Sequence, residues 1–427
     1  MGNVRLTIFS KILVPLLLVT TSHAASCTRE ANGVIDPTLD CSPAAICNGS
    51  TDDGPVFAAA MSVLNVNGGT LKVPAKSCMV NSPLNITHSN LSIQCAGPDF
   101  ACTLETSAAS MPQITATVFV AGTNPGGVTN ISVRGLVLEH TVAPTLGGDG
   151  IVFTGWVNAS DIENVSVNYG YNDVVLGPCS ISRARNLFLS NAIQDNLELL
   201  PQPGTNGNTL QWDIDSVGLG GAGRFGVFVT TSGATANVIV GDWHNLQTYL
   251  NGGGSVSVQA QNPAYSINDL RIDKSWFCCS NAGEYEVYVA AGTGVNNRLQ
   301  DSTVEICNGY GIGLAATDYD FTISGTKFNG CKKSGIVSYA KHLVLDGVIS
   351  NGNGIGVAGD GADIFGSAVV SGFWATGNNG WGLSVGSNAT VYGSAGDLSG
   401  NVSGAVTGAN SANSKLCAFN GVTGLCN

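Results

Sequence analysis

Charged side chains are scarce in this chain of 427 residues, where 17 basic and 29 acidic residues amount to 11%. The formal net charge of −12 leaves little to neutralise phosphate groups, so neither nucleic acid nor an anionic membrane is expected as a partner. The sequence has no pair of CxxC motifs and its histidines lack metal-ligand spacing, which argues against a structural zinc site. Phosphate-binding loops, dinucleotide fingerprints and a Ser-His-Asp pattern are also missing from the sequence.

Long apolar runs are missing beyond the N-terminus, so no membrane span is expected. At the N-terminus, Arg5 and Lys11 supply positive charge, residues 12–19 are apolar, and residues 22–25 resemble a cleavage site. This order is typical of a secretory signal peptide. We therefore predict a signal peptide at residues 1–25 and an extracellular location, or a periplasmic one in a bacterium.

All 13 cysteines follow the predicted cleavage site, where an oxidising compartment favours disulfides. The closest pairs in the sequence are Cys41 with Cys47, Cys95 with Cys102, and Cys417 with Cys426. Four further cysteines recur at spacings near one repeat and could join neighbouring repeats: Cys278, Cys279, Cys307 and Cys331. Because 13 is odd, at least one thiol is expected to be free or to pair between chains.

Glycine is abundant, with 57 residues, and 44% of the chain is hydrophobic, which favours a turn-rich all-β protein with a long core. Short runs of the form Gly-Ile-x-Val recur every 19 to 31 residues, as expected for a solenoid. They begin at Gly150, Asp173, Asn196, Gly226, Ser255, Glu286, Gly311, Gly335, Gly354, Gly382 and Gly404. We predict a parallel β-helix of about eleven coils, and we prefer it to a β-propeller because Trp-Asp blade signatures are missing.

Residues 48–80 carry the strongest family resemblance. Thr51-Asp52-Asp53 precedes a predicted helix around residues 56–61, and the segment 68–75 reads Gly-Gly-Thr-Leu-Lys-Val-Pro-Ala. This order resembles the opening of pectate-lyase-superfamily proteins, and the resemblance covers roughly residues 46–408. It implies a right-handed parallel β-helix with an N-terminal helical cap. The expected organisation is a cap with first strands at 26–125, the β-helix at 126–410 and a C-terminal tail at 411–427.

Carboxylates gather near three successive repeats. Asp149, Asp173 and Asp195 lead or precede β-like runs, Glu198 follows within the third run, and Arg224 leads the fourth. We expect the first and third residues of each run to point outward, because side chains alternate along a strand. The same register later offers Gly313, Val337, Gly356 and Ser384, none of which is an acid or a base. The reactive side chains are therefore expected in the first half of one face.

Paired carboxylates favour glycoside hydrolysis, which needs one protonated acid and one ionised base or nucleophile. Asp149-Gly150-Ile151 and Asn172-Asp173 resemble segments of polygalacturonase-type hydrolases, and this resemblance implies acids on successive coils. Gln194-Asp195-Asn196 stands where those enzymes carry Gly-His-Gly, which leaves neutral and other acidic glycans equally open. The leading hypothesis is a secreted polysaccharide hydrolase that uses Asp149, Asp173, Asp195 and Glu198.

Two other hypotheses remain open from the sequence. In a polysaccharide lyase, Arg224 could act as the base, while Asp149, Asp173 and Asp195 could hold Ca²⁺ through hard oxygen ligands. In a non-catalytic glycan-binding or structural protein, the same residues would be turn residues on a polar wall. The expected partner is a polysaccharide in every case except a purely structural protein, and calcium is expected only with the lyase.

Overall fold

The computed structural model describes residues 24–117, 127–202, 208–232, 234–261, 264–290, 294–315, 319–409, 414–423 and 425. Over these residues the chain forms an all-β parallel solenoid built on two large sheets, one of 13 strands and one of 24. Residues 1–23, which belong to the predicted signal peptide 1–25, and Cys426 lie outside the described residues. No helix in the described part is long and apolar enough to cross a membrane.

The 13-stranded sheet, called sheet 1 below, takes one strand from each coil, and its neighbouring strands pair in parallel. Its strands are Leu84–Asn85, Ile114–Thr115, Ile151–Phe153, Val174–Leu176, Leu197–Leu199, Phe225–Thr230, Gly254–Gln259, Tyr285–Ala290, Tyr310–Leu314, Ile336–Ser338, Ala362–Ile364, Trp381–Val385 and Gly404–Thr407.

The 24-stranded sheet, called sheet 2, wraps the rest of each coil and also pairs in parallel. Its strands are Val34–Ile35, Gly69–Val73, Ser77–Met79, Leu91–Cys95, Cys102–Thr106, Ser132–Arg134, Leu136–His140, Asp161–Asn168, Cys179–Ser190, Thr209–Gly220, Val238–Val240, Asp242–Tyr249, Ile267–Asn268, Arg271–Asp273, Trp276–Cys278, Gly294–Gln300, Thr303–Glu305, Tyr319–Ser324, Lys327–Asn329, His342–Asp346, Ile349–Asn351, Ser367–Trp374, Thr390–Asp397 and Ser414–Asn420.

Four short strands form two separate pairs, Ser26–Cys27 with Cys41–Ser42 and Val128–Thr129 with Val157–Asn158. The one helix of the described residues, Gly54–Asn67, begins after Asp53 and ends at Gly68, which has a φ of 66°. Its apolar side chains, including the fully buried Phe57 and Leu64, join the solenoid core. The predicted helix is thus confirmed, and its start is stabilised by Asp52, whose Oδ1 accepts the Gly54 N–H at 2.9 Å.

Sheet 2 bends sharply once in each coil, at a residue with left-handed backbone geometry. On twelve successive coils this position has a φ between 48° and 73°. The residues are Gly135, Asn164, Asn186, Ser216, Asn245, Lys274, Asp301, Gly325, Gly347, Gly372, Ala395 and Ala418. Glycine and asparagine dominate the row because they tolerate this conformation at the lowest steric cost.

The interior is filled by Ile, Val and Leu side chains that repeat at equivalent positions of successive coils. Ile151 pairs with Val174, and Val174 pairs with Leu197; all three are fully buried. Asparagines in the later turns also repeat at equivalent positions. The side-chain amide of Asn378 links Asn353 and Asn401 through hydrogen bonds of 3.0 and 2.9 Å. The long apolar core predicted from the recurring runs is thus confirmed.

The repeat assigned to Gly354 in the sequence is wrong. The strand that pairs with Ile336–Ser338 is Ala362–Ile364, so the outward residue of that coil is Asp363 rather than Gly356. The solenoid is also longer than the eleven coils predicted, because sheet 1 already contains Leu84–Asn85 and Ile114–Thr115. Its first parallel pairing in sheet 2 joins Val34–Ile35 to Gly69–Val73.

The disulfides agree only partly with the sequence pairing. Cys95–Cys102 is confirmed, and Cys307–Cys331 joins neighbouring coils as expected. The other observed pairs are Cys27–Cys41, Cys47–Cys78 and Cys278–Cys279, so the proposed Cys41–Cys47 pair is wrong. Cys179 is the free, buried thiol of the described residues, and Cys417 is disulfide-bonded while its expected partner Cys426 lies outside them.

Candidate functional site

Three rows of side chains run along sheet 1, one residue per coil in each row. The leading row lies just before each strand or at its first residue. It contains Asp149, Asn172, Asp195, Phe225, Gly254, Tyr285, Tyr310, Ser334, Asp360 and Trp381. The next residue along the chain belongs to the buried row, which contains Gly150, Asp173, Asn196, Gly226, Ser255, Glu286, Gly311, Gly335, Gly361 and Gly382. The outer row contains Val152, Val175, Glu198, Phe228, Ser257, Tyr288, Gly313, Val337, Asp363 and Ser384.

The buried row contradicts the expected outward direction of the first residue in each run. Asp173 and Glu286 are both fully buried. The row faces the inner corner of the coil, where a Cβ on Gly150 would lie 2.3 Å from Val167 Cγ1 and 2.6 Å from the Asp173 carbonyl oxygen. Strand alternation fails here because the chain turns into the strand at this residue.

Asp173 therefore lies beneath the cluster rather than on the open face. Its carboxylate accepts the Gly170 N–H at 3.0 Å and the Asn196 amide at 2.9 Å. Burial raises the pKa of Asp173 well above its usual value, and the negative charge of Asp149 acts in the same direction. A buried carboxyl group whose two oxygens already accept hydrogen bonds suits a supporting position.

The other four predicted residues come together around Asn172, which the sequence had marked only as a neighbour of Asp173. The Asn172 backbone N–H donates to Asp149 Oδ1 at 2.8 Å, and its side-chain amide donates to Glu198 Oε2 at 3.2 Å. Its Oδ1 accepts the Asp195 N–H at 3.2 Å. One asparagine thus bonds to a carboxyl group on each of the two coils that flank its own.

Asp195 and Arg224 form an ion pair across neighbouring coils. Arg224 Nε donates to Asp195 Oδ1 at 3.0 Å, its Nη2 donates to Oδ2, and the Phe225 N–H adds a third bond at 3.0 Å. Burial raises the pKa of Asp195, but the Arg224 hydrogen bonds and charge oppose that shift. The guanidinium carbon also lies 4.2 Å from the centre of the Phe228 ring, which fixes the side chain further.

Glu198 has the surroundings of a general acid. Burial and then the negative charge of Asp195 raise the pKa of Glu198 to about 7, although Arg224 partly offsets the shift. Asp149 is 9% exposed, and burial raises its pKa against the opposing hydrogen bond from Asn172. These two carboxyl groups belong to coils two apart, whose strands are separated by roughly 10 Å, and they lie in the outer and leading rows respectively.

A second acidic pair was missed because its coil had been assigned to Gly354. Asp360 and Asp363 occupy the leading and outer rows, as Asp195 and Glu198 do six coils earlier. Burial, followed by the hydrogen bond with Asp360, raises the pKa of Asp363 to about 7. The sequence signal that could have revealed this pair is the spacing Asp-x-x-Asp, with the first Asp before a short β-like run and the second within it.

The predicted calcium ligands do not converge. Asp173 already accepts two hydrogen bonds inside the corner, and Asp195 is occupied by Arg224 and the Phe225 N–H. In the described part of the chain, the one group of three metal-type ligands close enough to share an ion is Cys47, Asp53 and Cys78. Two of those atoms are joined in a disulfide, so this group is explained without an ion.

The fold and its long polar face define a parallel β-helix protein. No family model matches the sequence, and no curated protein does. Among solved structures, the chain is similar to the pre-mature gene product 12 of bacteriophage phi29, with a TM-score of 0.65 and 13% identity over 90% of this chain and 57% of that one. Tailspike protein 3 of bacteriophage CBA120 matches with a TM-score of 0.56 and 11% identity, over 88% of this chain and 60% of the tailspike.

A third similar structure is the A-module of the Azotobacter vinelandii mannuronan C-5 epimerase AlgE6. Its TM-score is 0.50 at 15% identity, over 89% of this chain and 98% of the module. The chain thus spans a little over half of the two phage proteins and nearly the whole epimerase module. These likenesses confirm the expected β-helix fold.

Proposed function

We propose that this protein cleaves glycosidic bonds of a polysaccharide by hydrolysis, with Glu198 as the general acid and Asp149 as the second carboxylate. The observation that carries the proposal is the position of Glu198, a partly exposed carboxyl group whose pKa is raised to about 7 beside Asp149 and Asp195. A carboxyl group that is still protonated near neutrality can donate its proton to the leaving oxygen. Asp149 then acts on a water molecule or on the sugar itself.

Asp195 and Arg224 hold this pair in place. Burial and then the charge of Asp195 raise the pKa of Glu198, and the ion pair with Arg224 holds Asp195 in place. The Asn172 side-chain amide bonds to Glu198 while its backbone N–H bonds to Asp149. Asp173 supports the same corner from below through its bond with Asn196. In this proposal Asp173, Asp195 and Arg224 position the reacting groups rather than touch the reacting bond.

Hydrolysis is favoured over elimination by the state of Arg224. A lyase needs an unprotonated base, whereas the Arg224 guanidinium donates to both oxygens of Asp195, an arrangement that stabilises its charged form. The mannuronan C-5 epimerase, which by its name acts on a polysaccharide, supports a polysaccharide as the ligand of this long face. The proposal therefore keeps the predicted substrate class and needs no calcium.

A glycan panel tests the proposal. We expect wild-type protein to release reducing ends from at least one polysaccharide without EDTA sensitivity, and Glu198→Gln and Asp149→Asn each to lower kcat by about 100-fold or more. Asp346→Asn, an exposed acid on sheet 2, is the matched control and should keep full activity. Unsaturated uronate products, or activity lost in Asp363→Asn but kept in Glu198→Gln, would overturn the assignment.

We further propose that the mature protein acts outside the cytoplasm and that the helix Gly54–Asn67 closes the N-terminal end of the core. Five disulfides among the described residues favour an oxidising compartment. The burial of Phe57 and Leu64 supports the closing role of the helix. N-terminal sequencing of secreted protein tests the first point, because cleavage should leave residue 26 at the start.

A further inference from the structure

The outer face of sheet 1 changes character after Arg224. Its first coils carry Asp149, Asp195 and Glu198. The later coils carry Asp360 and Asp363 but mainly aromatic rings in or beside the same rows: Tyr285, Tyr288, Tyr310, Tyr339, Phe365 and Trp381. We call these six residues the aromatic platform. Because rows run without interruption from coil to coil, the aromatic platform continues the face that carries Glu198.

The rings of the aromatic platform are packed against each other in an ordered way. Tyr285 stacks on Tyr288 with centroids 4.9 Å apart and on Tyr310 at 5.1 Å, while Tyr339 stacks on Phe365 at 4.7 Å. These pairs hold the rings in fixed positions, which lowers the entropy lost when a ligand binds. The result is a preformed surface.

Glycines make room for these rings. A Cβ on Gly313 would lie 2.3 Å from Tyr285 Cδ1, and one on Gly404 would lie 2.6 Å from Trp381 Cζ3. Tyr339 and Phe365 nevertheless stay 45% and 42% exposed. Large aromatic groups that are held in place yet left open to solvent are typical of a ligand-binding surface.

The charged side chains on this face indicate whether a charged or an uncharged polysaccharide would bind. Its two basic side chains that contact rings are already paired, Arg224 with Asp195 and Lys333 with Glu284 at 3.7 Å. Asp360 lies beside Trp381, Glu284 lies beside Lys333, and the whole chain carries a net charge of −12, so the surroundings of the rings are acidic. A polyuronate would be repelled and would find no unpaired cation among these contacts.

We infer that the aromatic platform binds a neutral polysaccharide chain that runs along the solenoid axis toward Glu198. Apolar C–H faces of the sugars pack on the rings, and their hydroxyl groups exchange hydrogen bonds with the tyrosine hydroxyls. This inference rests on the proposed hydrolysis, because it places the subsites beside that site. It names the substrate class as uncharged.

Affinity electrophoresis of the Glu198→Gln protein tests the inference without cleavage. The gels contain β-1,3-glucan, galactomannan, xylan or dextran as neutral probes and polygalacturonate or alginate as charged probes. We expect retention by at least one neutral probe, and at least a tenfold weaker dissociation constant after Tyr339→Ala with Phe365→Ala. The matched control, Trp374→Ala with Tyr392→Ala, removes two exposed rings from sheet 2 and should leave retention unchanged.

Retention by polyuronates alone, by no neutral probe, or equally by the platform double variant overturns the inference. Dissociation of an oligomer by Tyr339→Ala with Phe365→Ala in sedimentation velocity, without loss of glycan retention, identifies a second copy as the occupant and also overturns it. The experiments distinguish failure of the proposed hydrolysis from failure of the inference about the aromatic platform. Binding of a neutral glycan that wild-type protein never cleaves removes only the hydrolysis, and cleavage confined to polyuronates removes only the inference.

Discussion

Asp173 and Glu198 show how one kind of side chain acquires two roles on neighbouring strands. Both carboxyl groups have a raised pKa, and in both cases burial is the main cause. Asp173 is enclosed and bonded to Gly170 and Asn196, whereas Glu198 stands in the outer row beside the Asp195 charge. In the proposed hydrolysis, Glu198 is therefore the acid because its proton can still reach a ligand.

The pH profile of cleavage should report Glu198. Because the protonated form is the active acid and its pKa is raised to about 7, kcat/KM should fall as the pH rises through about 7. Initial rates between pH 4 and 9 on the best substrate measure this limb. Glu198→Gln should remove it together with most of the activity, and a wild-type rate that is flat from pH 6 to 9 would contradict the assignment.

Asp173→Asn should affect stability more than chemistry. A folded-state pKa above the unfolded value means that ionisation favours the unfolded chain, so the wild-type protein loses stability as the pH rises above the unfolded pKa near 4. An asparagine is uncharged at every pH. We expect the variant to gain melting temperature relative to wild type between pH 4 and 7, with activity reduced less than tenfold.

Thermal melts at pH 4, 5, 6 and 7 check this difference, since the gain should grow with pH. Glu198→Gln is a useful comparison because its side chain is partly exposed and should show a smaller pH-dependent gain. A loss of activity in Asp173→Asn as large as that in Glu198→Gln would move Asp173 from the supporting group into the reacting pair.

At the scale of single coils, sheet 2 bends at the same position in every coil, but the residue with left-handed backbone geometry differs from coil to coil. Ala395 occupies it with a φ of 58° and an exposed side chain, although most other coils use glycine or asparagine. An L-residue with a Cβ costs about 1–2 kcal/mol in this geometry. This cost is small beside the stability that the many other coils contribute.

Ala395→Gly should therefore raise the free energy of unfolding by about 1 kcal/mol. The neighbouring Ser394 is equally exposed but is not among the residues with positive φ, so Ser394→Gly should lower stability through the greater freedom of the unfolded chain. Urea unfolding of both variants measures the two signs. A destabilised Ala395→Gly protein would show that the bend is held by more than backbone preference.

The sequence predicted most coils because their Ile, Val and Leu residues fill equivalent core positions, as Ile151, Val174 and Leu197 do. It failed at Gly354, where Gly-Ile-Gly-Val imitates a coil but lies in the connection before Ala362–Ile364. Membership of a coil depends on pairing with Ile336, which is a relation between distant residues. That single error concealed Asp363.

The sequence predicted which residues gather on these coils but not the direction in which each side chain points. Asp149, Asp195, Glu198 and Arg224 do come together, because the coils that carry them stack in register. The burial of Asp173 was not predictable from alternation, since it depends on how the corner closes against Val167. The linking role of Asn172 likewise depends on three contacts across coils.

For the whole molecule, the Cys307–Cys331 disulfide joins neighbouring coils across 24 residues of sequence. In the chain-entropy model such a loop contributes about 3 kcal/mol, and the seven-residue separation of Cys95 and Cys102 contributes about 1 kcal/mol less. We expect Cys307→Ala with Cys331→Ala to lower the urea midpoint more than Cys95→Ala with Cys102→Ala. Equal midpoints would contradict this order.

The uninterrupted rows of sheet 1 have a consequence for how such a protein can change. Each coil adds one residue to the leading, buried and outer rows, so removal of a complete coil shortens the face by one strand spacing, about 4.8 Å, without changing the register of the rest. A deletion that removes the coil between Gly311 and Gly335 would move Asp363 one step toward Glu198. The length of this face can thus vary only in steps of one strand spacing.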